Sequence, residues 1–351
     1  MTSRPADPPS PPAPRYSMEE QNKILDYFGE LKSDYIRSFL ASQNLHRSGP
    51  KTQLLVNVRE GIDTGGLHYA DLVNFLDTVI PWGKQHVFLY DGPEDEVVKW
   101  RKAEYCQQQL QQNNVLQLLR HKLHLILPQR LSVSSIQYAP AEELKVLAVQ
   151  RREYRERCPE HDDQLTDEGV QIERDAYRRE VIRSIIIFNW NLVSNQARLQ
   201  ISQLPSKGGY ETAEENFKTL TQPWLPFNQF HKVDLRRSIT RLNELESTGT
   251  PEARSHGLSY RTLGGRAITA KSPTSHDSVL GETSVDNFVT HVRQTGVGHL
   301  GNFYWLPNHG TPFEKEIHTI IVGSKKRINF TTPNRREDFE HVLSRVRNLC
   351  N

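Results

Sequence analysis

The sequence predicts an α+β protein, with a small N-terminal helical bundle followed by a mixed or antiparallel β-sheet domain with flanking helices. Three observations predict it. Apolar residues recur at helical spacing up to about Val79. Beyond Pro128 the texture changes to alternating and β-branched runs closed by turn residues. The strands then come in runs, with no regular strand–helix alternation and no repeat of fixed period, which argues against a parallel βαβ sheet.

In chain order, residues 1–15 are rich in proline and serine, with almost nothing to bury, and are expected to be a disordered leader. Residues 16–92 are expected to form the helical domain. Met18, Ile24, Leu25 and Phe28 mark a first apolar face ended by Gly29, and Tyr35, Ile36, Phe39 and Leu40 mark a second with Ser33 as its N-cap. Asn44 suits a left-handed C-cap and Pro50 the start of a third helix through Leu54, Leu55 and Val58, ended by Gly61. Leu72, Val73, Phe75, Leu76 and Val79 give a fourth, stopped by Pro81, and residues 86–90 read as a short extended piece. Residues 93–127 are expected to be one long polar helix connecting the domains.

Residues 128–351 form the expected α+β domain. Strands are predicted over 131–138, 144–154, 181–190, 196–202 and as a pair around Gly264-Gly265. Helices are predicted over 212–220, 235–245 and 285–293. The last unit is a strand at 302–306, another at 317–323, a turn at Ser324-Lys325-Lys326, a strand at 327–331 and a helix over 335–349.

Composition narrows the class of function. The 351 residues are 36% hydrophobic and 25% charged, and the mean hydropathy is −0.65, with no apolar run of membrane-spanning length. No membrane partner is expected. The opening residues lack a positive segment followed by an apolar one, so no secretory signal is expected. The three cysteines, Cys106, Cys158 and Cys350, are odd in number and widely spaced, which suits a reducing compartment. The expected setting is intracellular, cytoplasmic or nucleoid-associated, or nuclear in a eukaryote. The net charge of +2 means that nucleic-acid binding would need a local basic face.

No constellation points to catalysis, and neither a cofactor nor a metal is expected. Gly296, Gly298 and Gly301 form a Gly-x-Gly-x-x-Gly run, but a helical pattern precedes it and a strand pattern follows, the reverse of a dinucleotide site, so a flexible loop is expected. Cys158 and His161 lack a second ligand pair at zinc spacing, and His121 and His124 read as a helical face. His299, His309 and His318 around the glycine-rich stretch are the weak alternative for a histidine-based enzyme.

The stronger signal lies in residues 31–62. A helix ends at Asn44-Leu45, a turn carries Ser48-Gly49-Pro50-Lys51, and Leu54, Leu55 and Val58 open the next helix. This resembles the SAP motif, a helix-extended-helix DNA-binding element, with Asn44 in place of its usual glycine and Pro50 in place of a lysine. By that resemblance, contacts to double-stranded DNA fall on Lys32, Arg37, His46, Arg47, Lys51 and Arg59, cations able to neutralise phosphates beside a helix N-terminus. A looser resemblance along most of the chain is to the centromere protein N family, carried best by residues 326–333 and 231–237. It implies nucleosome and partner-chain binding without enzymatic activity.

Arginine clusters at 151–157, 178–183, 236–241 and 345–347 offer a second basic face, with Arg236, Arg237, Lys325, Lys326 and Arg327 as the principal set. The leading expectation is a non-enzymatic protein that contacts the phosphate backbone of DNA through the helical domain. The alternatives are a protein–protein adaptor, which docks a partner chain or self-associates, and an enzyme of unknown class.

Overall fold

A computed structural model describes residues 16–79, 83–119, 128–167, 170–204, 208–307 and 310–351. The leader, Pro81, His121, His124 and His309 lie outside the described residues. The described residues divide into two compact units, one holding the N-terminal helices and the other the residues from 83 onward.

The first unit has four helices, α1 (Met18–Glu30), α2 (Ser33–Ser42), α3 (Lys51–Asp63) and α4 (Tyr69–Val79). Ser17 caps α1 in a reciprocal arrangement with Glu20, which satisfies two N-terminal backbone groups at once. Ile24, Phe28, Ile36, Phe39, Leu54 and Val58 are fully buried or nearly so. Phe39 lies 4.9 Å from both Phe28 and Phe75, centroid to centroid. The third helix outlasts Gly61, ending at Asp63. Ser33 is the first helical residue and not the cap. Lys32 holds that position with no side-chain bond. Asn44 adopts the left-handed conformation, φ 56°, and the Leu45 amide reaches back to the Leu40 carbonyl at 2.8 Å. That bond closes the helix as a glycine would.

The second unit is built on an 11-stranded sheet in the order β10-β9-β11-β12-β13-β1-β7-β6-β3-β2, with β8 also bonded to β1. The strands are β1 (Gln85–Asp91), β2 (Ser132–Ala139), β3 (Glu143–Arg157), β6 (Tyr177–Asn191), β7 (Gln196–Ser202), β8 (His231–Lys232), β9 (Ala253–Thr262), β10 (Ala267–Lys271), β11 (Gly296–Trp305), β12 (Ile317–Val322) and β13 (Arg327–Phe330). A separate hairpin, β4 (Asp163–Asp167) and β5 (Val170–Arg174), was not expected from the sequence. Every pairing of named strands in both sheets is antiparallel.

Two cores flank this sheet, and β1 joins them. Its Phe88 and Tyr90 enter one core, with α5 (Glu94–Trp100), α6 (Ala103–Gln112) and α7 (Tyr210–Thr221). Val87 and Leu89 enter the other, with α8 (Arg236–Ser247), α9 (Thr283–Thr295) and α10 (Arg336–Cys350). Successive side chains of a strand point to opposite faces, so the segment read as a short extended piece is a central strand buried on both sides. In the first core Phe188 packs against Phe217, Phe227 and Phe230 at 4.9–6.0 Å.

Three expectations are corrected. The long connector helix does not form. Residues 94–112 make two short helices broken at Arg101-Lys102, because Val97, Trp100, Cys106 and Leu110 all bury against the sheet; one straight helix cannot keep all four on it. The glycine run at 296–301 is strand β11, not a flexible loop. Residues 86–91 belong to the large sheet and not to the helical unit.

Candidate nucleic-acid interface

Strands β3 and β6 outrun their neighbours. Pairing with β2 ends at Val149, and pairing of β6 with β7 ends at Ile186, yet β3 and β6 stay paired as far as Arg157↔Tyr177. The last seven rungs form a two-stranded ribbon about 23 Å long at 3.3 Å per residue. Directly opposed residues share a face. One face therefore carries the rungs Arg151↔Arg183, Glu153↔Val181, Arg155↔Arg179 and Arg157↔Tyr177. On it, Arg151, Arg155, Arg157 and Arg179 are exposed and Arg183 is half-buried. The opposite face shows Arg152, Tyr154 and Ile182 half-buried.

Across the first three rungs of that exposed face four arginines meet one carboxylate, Glu153, which lies 2.8 Å from Arg151 and 3.8 Å from Arg179. Arg155 has no ion pair among the described residues. Arg157 is engaged by Asp162 and, at 2.5 Å, by Asp175. Two of the rungs are arginine opposite arginine, a pairing that destabilises an antiparallel ribbon on its own. An anionic ligand laid along the face would offset it. The sequence showed the arginines of this ribbon but not their alignment. Only the register puts Arg151, Arg155, Arg179 and Arg183 on one side.

The six residues suggested by the SAP resemblance are not all gathered together. Arg47 and Lys51 flank the exposed α2–α3 connection, where Gly49 takes φ 105°. Arg37 bonds Asp34 at 3.2 Å and donates to the Gly49 carbonyl at 3.1 Å, so its charge braces the turn. The His46 carbonyl accepts from the Asn57 amide at 2.8 Å. Lys32 precedes α2, about 15 Å along that helix from the connection, and Arg59 is exposed further along α3.

The second basic set divides. Arg236 and Lys325 line a pocket of about 580 Å³ together with Arg261, Val297, Gly298, His299 and Ser324. Arg237 is exposed on the same turn of α8, and Lys326 is half-buried in the left-handed conformation that closes the β12–β13 turn. Arg327 corrects the expectation of a surface cation. Its guanidinium is buried, 4.8 Å over the Tyr210 ring and 3.1 Å from Glu211. Strand alternation turned it inward.

The glycines of β11 owe their identity to packing. A Cβ on Gly298 would fall 2.6 Å from the Arg236 carbonyl oxygen, and one on Gly323 2.7 Å from the Gly298 carbonyl oxygen, so backbone meets backbone where α8 crosses the strand. Gly298→Ala is expected to cost about 1–3 kcal/mol by forcing α8 off β11, a lowered midpoint in urea unfolding. A glycine kept only for loop flexibility would leave that midpoint unmoved.

Of the histidines suggested for catalysis, the two described, His299 and His318, do not meet. His318 on β12 is held between Asn302 at 2.5 Å and Thr331 at 2.7 Å, stacked on Tyr304 at 4.4 Å. His299 sits five residues along β11 from Tyr304, about 17 Å away, and burial beside Arg261 lowers its pKa. Among the described residues no group of three or more His, Cys, Asp or Glu is placed to hold a metal ion, and no helix is long and apolar enough to cross a membrane. No protein-family model matches the chain, and no curated protein matches it.

Proposed function

We propose that this is a non-enzymatic DNA-associated protein that holds the phosphate backbone of a duplex through arginine. The observation that carries the reading is the pair of arginine-on-arginine rungs, Arg151↔Arg183 and Arg155↔Arg179, on one exposed face of the β3–β6 ribbon. Guanidinium groups bind phosphate oxygens in a bidentate fork. A two-stranded ribbon is narrow enough to enter a major groove or to lie along a backbone. The exposed Arg47–Lys51 connection of the helical unit supplies a second contact. The interaction is to the backbone, which carries no base identity, and is weakly selective in sequence.

Fluorescence anisotropy of the full chain with labelled duplex DNA, from low to near-physiological salt, tests the reading. A log–log salt slope of about −3 or steeper is expected, since each neutralised phosphate contributes about −0.9. Lys51→Glu is expected to make that slope shallower by about one unit if the helical unit takes part. Absence of binding at low salt would refute a DNA role and leave a protein partner as the function. An unchanged slope in Lys51→Glu would confine the contact to the ribbon.

A further inference from the structure

The pocket formed where α8, β9, β11 and the β12–β13 turn meet lies far from the ribbon and has different chemistry. Its charged lining is wholly cationic: Arg236, Arg261 and Lys325, with His299 and the Ser324 hydroxyl beside them. Arg236 is clamped to Asp234, which fixes the guanidinium at the rim. Lys325 stands 3.5 Å from Glu211 and is half exposed. Arg261 is exposed and has no ion pair among the described residues. Gly298 adds backbone to the lining.

Position separates the pocket from a duplex lying on the ribbon. Five strand-to-strand steps divide β11 from β6, about 24 Å at 4.8 Å per step. The pocket also lies at the Gly296 and Val322 ends of its strands, whereas the ribbon leaves the sheet at the opposite end, beside Gln85, Ser202 and Phe330. Exposed aliphatic side chains stand beside its cations. Leu263, two residues beyond Arg261 in the turn after β9, is 95% exposed, and Val297, which lines the pocket directly opposite Arg261, is 42% exposed. Cations around a concavity, bordered by bare aliphatic side chains, match a phosphorylated side chain on a peptide whose neighbouring residues are apolar. A sugar–phosphate backbone has nothing to place on Leu263.

We propose that this pocket is a docking site for a phosphoserine- or phosphothreonine-bearing segment of a partner protein, with Arg261 and Lys325 taking the phosphate and Leu263 and Val297 taking an adjacent apolar side chain. The assignment is independent of the DNA reading. The test is fluorescence anisotropy of the full chain with a labelled peptide pool holding one phosphoserine followed by leucine, alongside its unphosphorylated twin. The phosphorylated pool is expected to bind at least tenfold more tightly, and Arg261→Glu or Lys325→Gln to abolish that preference. The ribbon variant Arg155→Glu/Arg179→Glu is expected to keep it, and Arg261→Glu to leave duplex DNA binding unchanged. Equal binding of the two pools, or a preference that survives Arg261→Glu, would overturn the proposal. Loss of DNA binding in Arg261→Glu, with no phosphopeptide preference in the parent protein, would assign the pocket to the duplex instead.

Discussion

Replacing Arg155 by glutamate is expected to make the protein more stable and a weaker DNA binder at once. Arg155 stands directly opposite Arg179 on the exposed ribbon face, so Arg155→Glu turns a repulsive rung into an attractive one. Such cross-strand charge pairs are worth roughly 0.2–1 kcal/mol, and the exposure of both side chains keeps the gain near the lower end. Binding moves the other way. One phosphate contact is lost and a negative charge is set against the backbone, for a drop on the order of tenfold at near-physiological salt and a slope shallower by about one unit. Arg155→Glu/Arg179→Glu separates the two effects further. Its rung is again like-charged, so stability returns to about the parent value, while affinity falls by roughly another factor of ten. Urea midpoints should therefore rank the single variant first, with the parent and the double variant level, and affinities should rank parent, single, double. Affinities that track the midpoints would show that the arginines matter only for folding, and the ribbon would lose its role.

His86 should make the protein acid-labile well above the range where carboxylates titrate. Its ring is buried, tilted against the Tyr210 ring with centroids 3.6 Å apart, and its Nδ1 lacks a partner. Burial, and then the nearby Arg327 guanidinium, press its pKa down to about 3. The unfolded chain takes up the proton near pH 6.5 and the folded chain only near 3, so the unfolded state binds more protons throughout that window. Stability is complete above pH 6.5 and falls as the solution is acidified, by up to about 1.4 kcal/mol per pH unit. His86→Phe retains the ring contact and removes the proton. The difference between parent and variant in unfolding free energy should be small at pH 7 and should widen from pH 6.5 toward 4.5. His299, His318 and His341, whose pKa values are also lowered by burial, contribute acid sensitivity that both proteins share, so the difference isolates His86. A gap that stays constant with pH would mean that the His86 ring is reached by solvent or protonated in the folded state.

The α+β class was legible in the sequence because both periodicities are strong where the elements are amphipathic. The helical spacing of Ile24, Phe28, Ile36, Phe39 and Leu40 has a direct counterpart in buried positions. The runs at 144–154 and 181–190 lie in the longest strand pair of the sheet. The signal failed where a segment is buried on more than one side or is held by neighbours distant in sequence. Strand β1 is apolar all round and reads as a fragment, though it lies between the two cores. The connector offers enough polar residues for one solvated helix, but Trp100 and Leu110 are drawn onto the sheet and break it in two.

For the site, the sequence by itself determined the charges: which segments carry arginine, that no metal or nucleotide motif stands in its proper context, and that Asn44 can end a helix as glycine does. It also set the patterns that select helix or strand, since these depend on residues three or four apart, or two apart. Tertiary structure decided which charges act together. Arg151 and Arg183 are 32 residues apart and face each other only because β3 and β6 pair in one register. A shift of one residue would turn Arg155 to the other face. Arg327 and Lys325 are two residues apart, yet one is buried under Tyr210 and the other lines an open pocket. Long-range pairing, set by the burial of distant apolar side chains, fixes those positions, and no local window of sequence contains it.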